Sequence, residues 1–318
     1  MRRYLSPYFF FFDSTASALG LEIDEAWAPN VKESHERNRQ QTMEYLALRL
    51  GSESIETKLR DFKDVGDLPP SVVSYHSELF RQCRDSFVSG AYYPALVGAC
   101  ALGERILNHL VIDLRGEFAA TPAFGKVSRN QSFNDWAVMI DVLSEWRVLT
   151  PEVATSFKKL RKLRHYSVHY RPDLYKDIRG KALKALHTLA ECIRGQFGTL
   201  GPHRWFIPGL KGTAFIGRDW ETDPFVKRYY VVNTVYVGPS YAIRFIDGHV
   251  VVFDRTDYPD TEINDQTFAD LLNNRNPESV VSTNLPPASN IDMRLLLPGA
   301  PPQALTYDPV RAGLVTKR

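Results

Sequence analysis

The chain is poor in cysteine, nearly balanced in charge, and short of uninterrupted apolar sequence. Three cysteines among 318 residues, Cys83, Cys100 and Cys192, are odd in number and far apart. That excludes a disulfide framework and paired-cysteine zinc spacing, and predicts reduced thiols packed in helices. The formal net charge of +2, from 39 Lys and Arg against 37 Asp and Glu, gives no global field that would draw nucleic acid or an acidic membrane, so any basic site is local. No segment reads as the roughly 18 apolar residues of a membrane span. Arg2 and Arg3 precede the aromatic run Tyr8 to Phe12 in the manner of a secretory leader. However, Pro7 splits the run and Asp13 ends it, so a buried strand or docking segment in a cytoplasmic protein is expected. No Gly-x4-Gly-Lys-Ser/Thr loop and no His-Glu-x-x-His pair is found, and neither a cofactor nor a metal is expected.

What is present reads as α+β: a mainly helical bundle followed by a small strand-rich domain. Residues 1–67 form an N-terminal segment with two short helices between Val31 and Asp64, broken at Gly51-Ser52. Residues 68–200 carry strong helical periodicity. Val72, Tyr75, Leu79, Phe80, Cys83 and Phe87 keep the spacing of one buried face, closed by Gly90. Tyr92-Tyr93-Pro94 opens a helix apolar on nearly all sides, suited to the middle of a bundle. A further helix holds Trp136, Met139, Ile140, Leu143 and Trp146. Thr150-Pro151-Glu152 starts another, which Pro172 stops near His169. A last amphipathic helix runs from about Leu174 to Phe197. Residues 203–285 then read as a small α+β domain. Strands are expected at Phe225 to Val237 and Tyr241 to Ile246, with a hairpin at Asp247-Gly248 leading into His249 to Phe253, and a short helix at Thr267 to Asn273. Residues 286–318, rich in proline, are expected as an extended tail.

The densest reactive cluster lies on the helix Phe157-Lys-Lys-Leu-Arg-Lys-Leu-Arg-His-Tyr-Ser-Val-His169. At about 100° per residue, Arg161, His165 and His169 share a stripe, whereas Arg164 and His169 point roughly 140° apart. Two such helices facing each other across a two-fold axis would combine the arginines and histidines of both chains in one cleft. Histidine, with an unperturbed pKa of about 6.5, exchanges protons near neutrality, and arginine stabilises charge on a phosphate; together they suit metal-free cleavage of RNA by its own 2′-hydroxyl. Arg244 and His249 have the same spacing, but there it spans a hairpin and has no helical meaning.

Three segments carry a resemblance to a family. They are Gly90-Ala-Tyr-Tyr-Pro-Ala-Leu leading into the Ala-rich helix with Glu104, the helix from Trp136 to Leu149, and Leu163-Arg164-His165-Tyr-Ser-Val-His169. Over residues about 70–198 the chain resembles the HEPN superfamily, in its branch of uncharacterised bacterial HEPN-like domains, and the last segment matches the family's Arg-x4-6-His motif. His165 stands where many members have asparagine. The resemblance implies a dimeric helical bundle and, in active members, a metal-independent endoribonuclease leaving 2′,3′-cyclic phosphate ends, used in antiviral defence or toxin–antitoxin systems. It makes Arg164 and His169 the catalytic pair, with His165 orienting substrate or a partner side chain and Arg161 and Glu104 in support. RNA, a second copy of the chain and a protein partner such as an antitoxin are the implied partners. A carboxylate at position 104 of so apolar a helix also needs a cation from the Arg-bearing helix. The alternative is a non-catalytic module that uses the same bundle to dimerise or dock a partner.

His109 reads as a packing or interface residue. Trp205, Trp220, Tyr229, Tyr230, Tyr236 and Tyr241, with Arg228 and Arg244, form either a base-stacking platform or, more ordinarily, a core.

Overall fold

The protein is described by a computed structural model covering residues 1–6, 13–129, 135–169, 173–199, 201–246, 249–275 and 287–292. Helices and a small set of antiparallel strands make it an α+β protein. It divides into a helical unit, residues 12–69 and 76–196, and a mixed unit, residues 1–11, 70–75 and 197–318. The N-terminal region therefore does not stand apart as residues 1–67: its first strand belongs to the mixed unit and its helices to the helical one.

In the helical unit, α1 (Thr15–Gly20), α2 (Pro29–Leu50) and α3 (Ile55–Val65) pack on one another. Two short helices were expected before Asp64, yet α2 runs 22 residues, because Pro29 starts it and nothing before Gly51 breaks it. Only Leu46 of α2 is buried, which explains why its apolar pattern is so faint. In α4 (Ser74–Val88), His76, Phe80, Cys83, Arg84 and Phe87 turn inward, while Tyr75, expected on the buried face, is 37% exposed.

The central element is α5 (Tyr92–Leu114), which packs against α6 (Trp136–Glu145) and α7 (Pro151–Val168). By length and composition α5 does qualify to cross a membrane, contrary to the expectation, but most of it is buried inside the protein. Gly103 permits its tight fit: a Cβ there would collide with Leu160 of α7 and touch Trp136 of α6. Helix α7 begins as its sequence predicts. Thr150 Oγ1 accepts from the Val153 amide at 3.3 Å, and Pro151 occupies the first turn. The expected last helix is a 3-10 turn at Leu174–Asp177 followed by α8 (Ile178–Phe197).

Asp61 of α3 is fully buried and tied to two other helices. Arg179 of α8 donates to its Oδ1 at 2.7 Å and also bonds Asp64, and Tyr92 of α5 donates to its Oδ2 at 2.7 Å. All three cysteines are free and buried, and burial raises the Cys83 thiol to about 11 and the Cys100 thiol to about 12. These are inert core thiols at neutral pH.

His76 is fully buried, with its ring 5.6 Å from that of His109, which in turn lies 3.1 Å from the Asp113 carboxylate. Burial first, then the charges of His109 and Arg105, hold its pKa well below the usual histidine value. The folded chain thus refuses a proton that the unfolded chain accepts. Stability is intact above the unfolded pKa of about 6.5 and falls at up to ~1.4 kcal/mol per pH unit as pH drops from there toward the folded pKa. Urea titrations between pH 8 and pH 5 should show this slope, and His76→Leu should flatten it. An unchanged slope in the variant would remove His76 as its source.

The mixed unit pairs β1 (Arg3–Leu5) with β2 (Val235–Val237) and orders β3 (Ala242–Ile246), β4 (His249–Phe253) and β5 (Pro287–Asp292) in a second antiparallel sheet. The predicted hairpin strands β3 and β4 pair from Ala242 with Phe253 to Ile246 with His249. The turn at Asp247-Gly248, the run Tyr8 to Phe12 and the tail beyond Asp292 lie outside the described residues. Two expectations are corrected. Part of the stretch read as a tail is strand β5, and Phe225 to Val237 is not one strand, since α9 (Pro224–Tyr229) and a 3-10 turn precede β2. Asp223 explains the second difference: its side chain accepts from the Val226 amide, and Pro224 fills the first turn, a cap that overrides the β-branched and aromatic composition. The core gathers Leu5, Phe215, Val237, Tyr241 and Val252 under Phe268 and Leu272 of α10 (Asp265–Asn273).

Candidate active site

The last two turns of α7, with His169 just beyond them, carry all the residues singled out except Glu104. Arg164 faces α5, where its Nε donates to Glu104 Oε2 at 2.7 Å and its Nη2 to Oε1 at 3.5 Å. The cation expected for Glu104 is therefore Arg164. The Arg164 side chain stays 30% exposed and that of Glu104 15%, so the guanidinium sits at a rim, with its Nη1 corner turned from the carboxylate.

His165, His169 and Arg161 are exposed, with Arg161 beside Arg164 on the helix surface and His169 turned farthest from it. The rings of His165 and His169 lie 4.4 Å apart at 51°, as four-residue spacing dictates. His169 has left the helix, with φ −88° and ψ 143°, and its amide still reaches the His165 carbonyl at 3.4 Å. The helix thus ends near His169, where the proline at position 172 predicts a stop. Within one chain, and among the described residues, no contact joins Arg164 to His169.

This turn is held from both sides. Tyr93 of α5 donates to the Ser167 carbonyl at 3.3 Å, and the Ser167 hydroxyl donates to the Arg164 carbonyl at 3.0 Å. Tyr166 hydrogen-bonds Asp173, lowering that carboxyl's pKa, and the Lys181 ammonium lies 5.0 Å above the Tyr166 ring. The histidines thus stand on a short, braced pedestal, which favours defined placement of a reacting group. Lys158, Lys159 and Lys162 line the same helix in exposed positions.

Alongside α7 a groove of about 620 Å³ runs between it and α8, lined by Lys159, Lys162, Lys184 and His187 over Leu163 and Leu183. Lys184 and His187 carried no signal in the sequence, since their relation to α7 depends on helix pairing. His187 has its own partner, the Asp64 carbonyl at 2.8 Å. Among the described residues no three His, Cys, Asp or Glu side chains gather as a metal-binding set.

Most of the aromatic residues singled out in the mixed unit form a core, with Trp220 half-buried at its edge. Trp205, Tyr229, Tyr230 and Tyr241 are buried, whereas Tyr236 is exposed. The His109 ring meets that of His76 edge-on.

Compared with models of protein families, with curated proteins and with solved structures, the chain matches none.

Proposed function

We propose that the chain is a metal-independent endoribonuclease of HEPN type, acting in the cytoplasm as a homodimer in a bacterial defence or toxin–antitoxin setting. The observation that carries this reading is the exposed pair His165 and His169 on a braced helix end, one turn from a guanidinium at the rim. In the reaction, His169 takes the proton of the RNA 2′-hydroxyl, and the 2′-oxygen bonds to the adjacent phosphorus. Arg164 stabilises the added charge on the phosphoryl oxygens. The bond from phosphorus to the 5′-oxygen breaks, and a second imidazole returns a proton to that oxygen. The products are a 2′,3′-cyclic phosphate and a 5′-hydroxyl. His165 orients the strand or supplies the second imidazole. A second copy of the chain brings its own Arg164 and His169 to the cleft, which answers the wide angle between the two residues on one helix.

Mixed RNA incubated with the purified protein in excess chelator should be cut to cyclic-phosphate ends. His169→Ala should lower the rate by ~10²–10⁴-fold with the fold intact, as expected for loss of a general acid–base group. Absence of cleavage by a folded wild-type dimer would sink the reading.

One observation favours a second reading. Glu104 already neutralises Arg164, as suits a HEPN-like module that dimerises or docks a partner without chemistry. That reading requires RNA to survive unchanged and the Arg164–Glu104 pair to matter for stability alone.

A further inference from the structure

The groove between α7 and α8 has a polarity that the sequence alone did not reveal. The two helices run antiparallel: Ser156 near the start of α7 donates to Glu191 near the end of α8 at 3.1 Å, and Lys181 near the start of α8 covers Tyr166 near the end of α7. The groove therefore has a far end, at Glu191, and a near end, at Leu163 and Gly180, beside the turn that carries His165. Its three lysines lie between. Lys159 and Lys162 occupy successive turns of the α7 rim, and Lys184 faces them from α8; all three are exposed. Lys162 precedes His165 by three residues, which places the two as neighbours on the helix surface. The basic rim thus continues directly into the histidine pair.

We infer that this groove is the track that carries the phosphate backbone of a single RNA strand to His165 and His169. Three ammonium groups along two rims match phosphates spaced along a strand. The floor of Leu163 and Leu183 offers an apolar surface to the sugar and base faces. At about 620 Å³ the groove has room for one strand and not for a duplex. The single carboxylate of the lining, Glu191, stands at the end remote from the histidines, while at the near end Asp177 is engaged by the Gly180 amide and Asp173 by Tyr166, so the lysines supply the charge of the path. His187 remains bonded to the Asp64 carbonyl and contributes wall. The inference rests on the ribonuclease reading for what happens at the end of the track, but the track itself is a matter of binding alone.

The experiment measures binding separately from cleavage. Full-length His169→Ala protein is titrated into a labelled single-stranded RNA in chelator, by fluorescence anisotropy, at several salt concentrations. The same is done with Lys159→Glu, Lys162→Glu and Lys184→Glu added together, and with a charge-matched control carrying Arg39→Glu, Lys211→Glu and Lys227→Glu. Circular dichroism checks that each variant is folded.

The groove variant should bind at least ~30-fold more weakly than its parent, with the salt dependence flattened by about 2 in the log–log slope, as expected when roughly three phosphate contacts are lost. The control should stay within a few-fold. Equal losses in the two variants, no loss in the groove variant, or no RNA binding by the parent would each overturn the track. So would release of the RNA by polyglutamate as readily as by unlabelled RNA, which would mark a docking site for an acidic peptide. The two readings fail separately: a groove variant that loses binding while the wild type never cleaves keeps the track and removes the nuclease. A wild type that cleaves while the groove variant binds undiminished does the reverse.

Discussion

Arg179→Ala is expected to destabilise the helical unit by ~3–5 kcal/mol at neutral pH, more than Asp61→Ala at the other end of the same ion pair. The asymmetry follows from burial. Asp61 has no exposed surface, whereas the Arg179 side chain is 32% exposed and also holds Asp64. Removing Asp61 leaves a guanidinium with water and a second carboxylate to turn to. Removing Arg179 leaves a charge inside the protein with Tyr92 as hydrogen-bond donor and Arg60 3.7 Å away. It also strips a cation from the face of Phe87, 5.5 Å from the guanidinium. The hydrogen bonds to Asp61 and Asp64 raise the pKa of Arg179 itself, so it is charged at every accessible pH. Urea unfolding followed by the helical circular dichroism signal measures both variants. Equal losses would mean that the interior around Asp61 is wetter than its burial implies.

Much of the helical unit was legible because its signals are local. Thr150-Pro151 marked the start of α7, Pro94 the start of α5, and the Ala- and Gly-rich composition of α5 its central place. The Glu104–Arg164 pair was also foreseeable, since an ionised group in an apolar helix demands a partner. What could not be read was non-local. Strand β1 pairs with β2 across most of the chain, and β5 joins β4 from a proline-rich stretch in which Pro287, as first residue of the strand, does no harm. The groove beside α7 exists only once α8 is laid against it, so Lys184 stood as an ordinary surface lysine in the sequence. The stretch from Phe225 is the opposite case: the Asp223-Pro224 cap is a local signal, and it prevails over the β-branched and aromatic composition that follows it.

Mixing Arg164→Ala chains with His169→Ala chains should restore cleavage to about a quarter of the wild-type rate, although each variant alone falls by at least ~10²-fold. Around a regular helix Arg164 and His169 diverge by roughly 140°, and the structure keeps them apart, the arginine turned to Glu104 and the histidine to solvent beside His165. One chain therefore cannot readily aim both at the same phosphate. If the site takes its arginine from one chain and its histidine from the other, a mixed dimer retains one intact site of two, and random exchange makes half the dimers mixed. If both came from one chain, no mixture would contain an intact site and the rate would stay at the level of the variants. Stability separates the non-catalytic reading. Glu104 loses its partner in Arg164→Ala, and its side chain is only 15% exposed. A melting point that drops in Arg164→Ala and recovers when Glu104→Gln is added would show the pair holding α5 to α7. The same recovery without any cleavage to restore would make that its whole purpose.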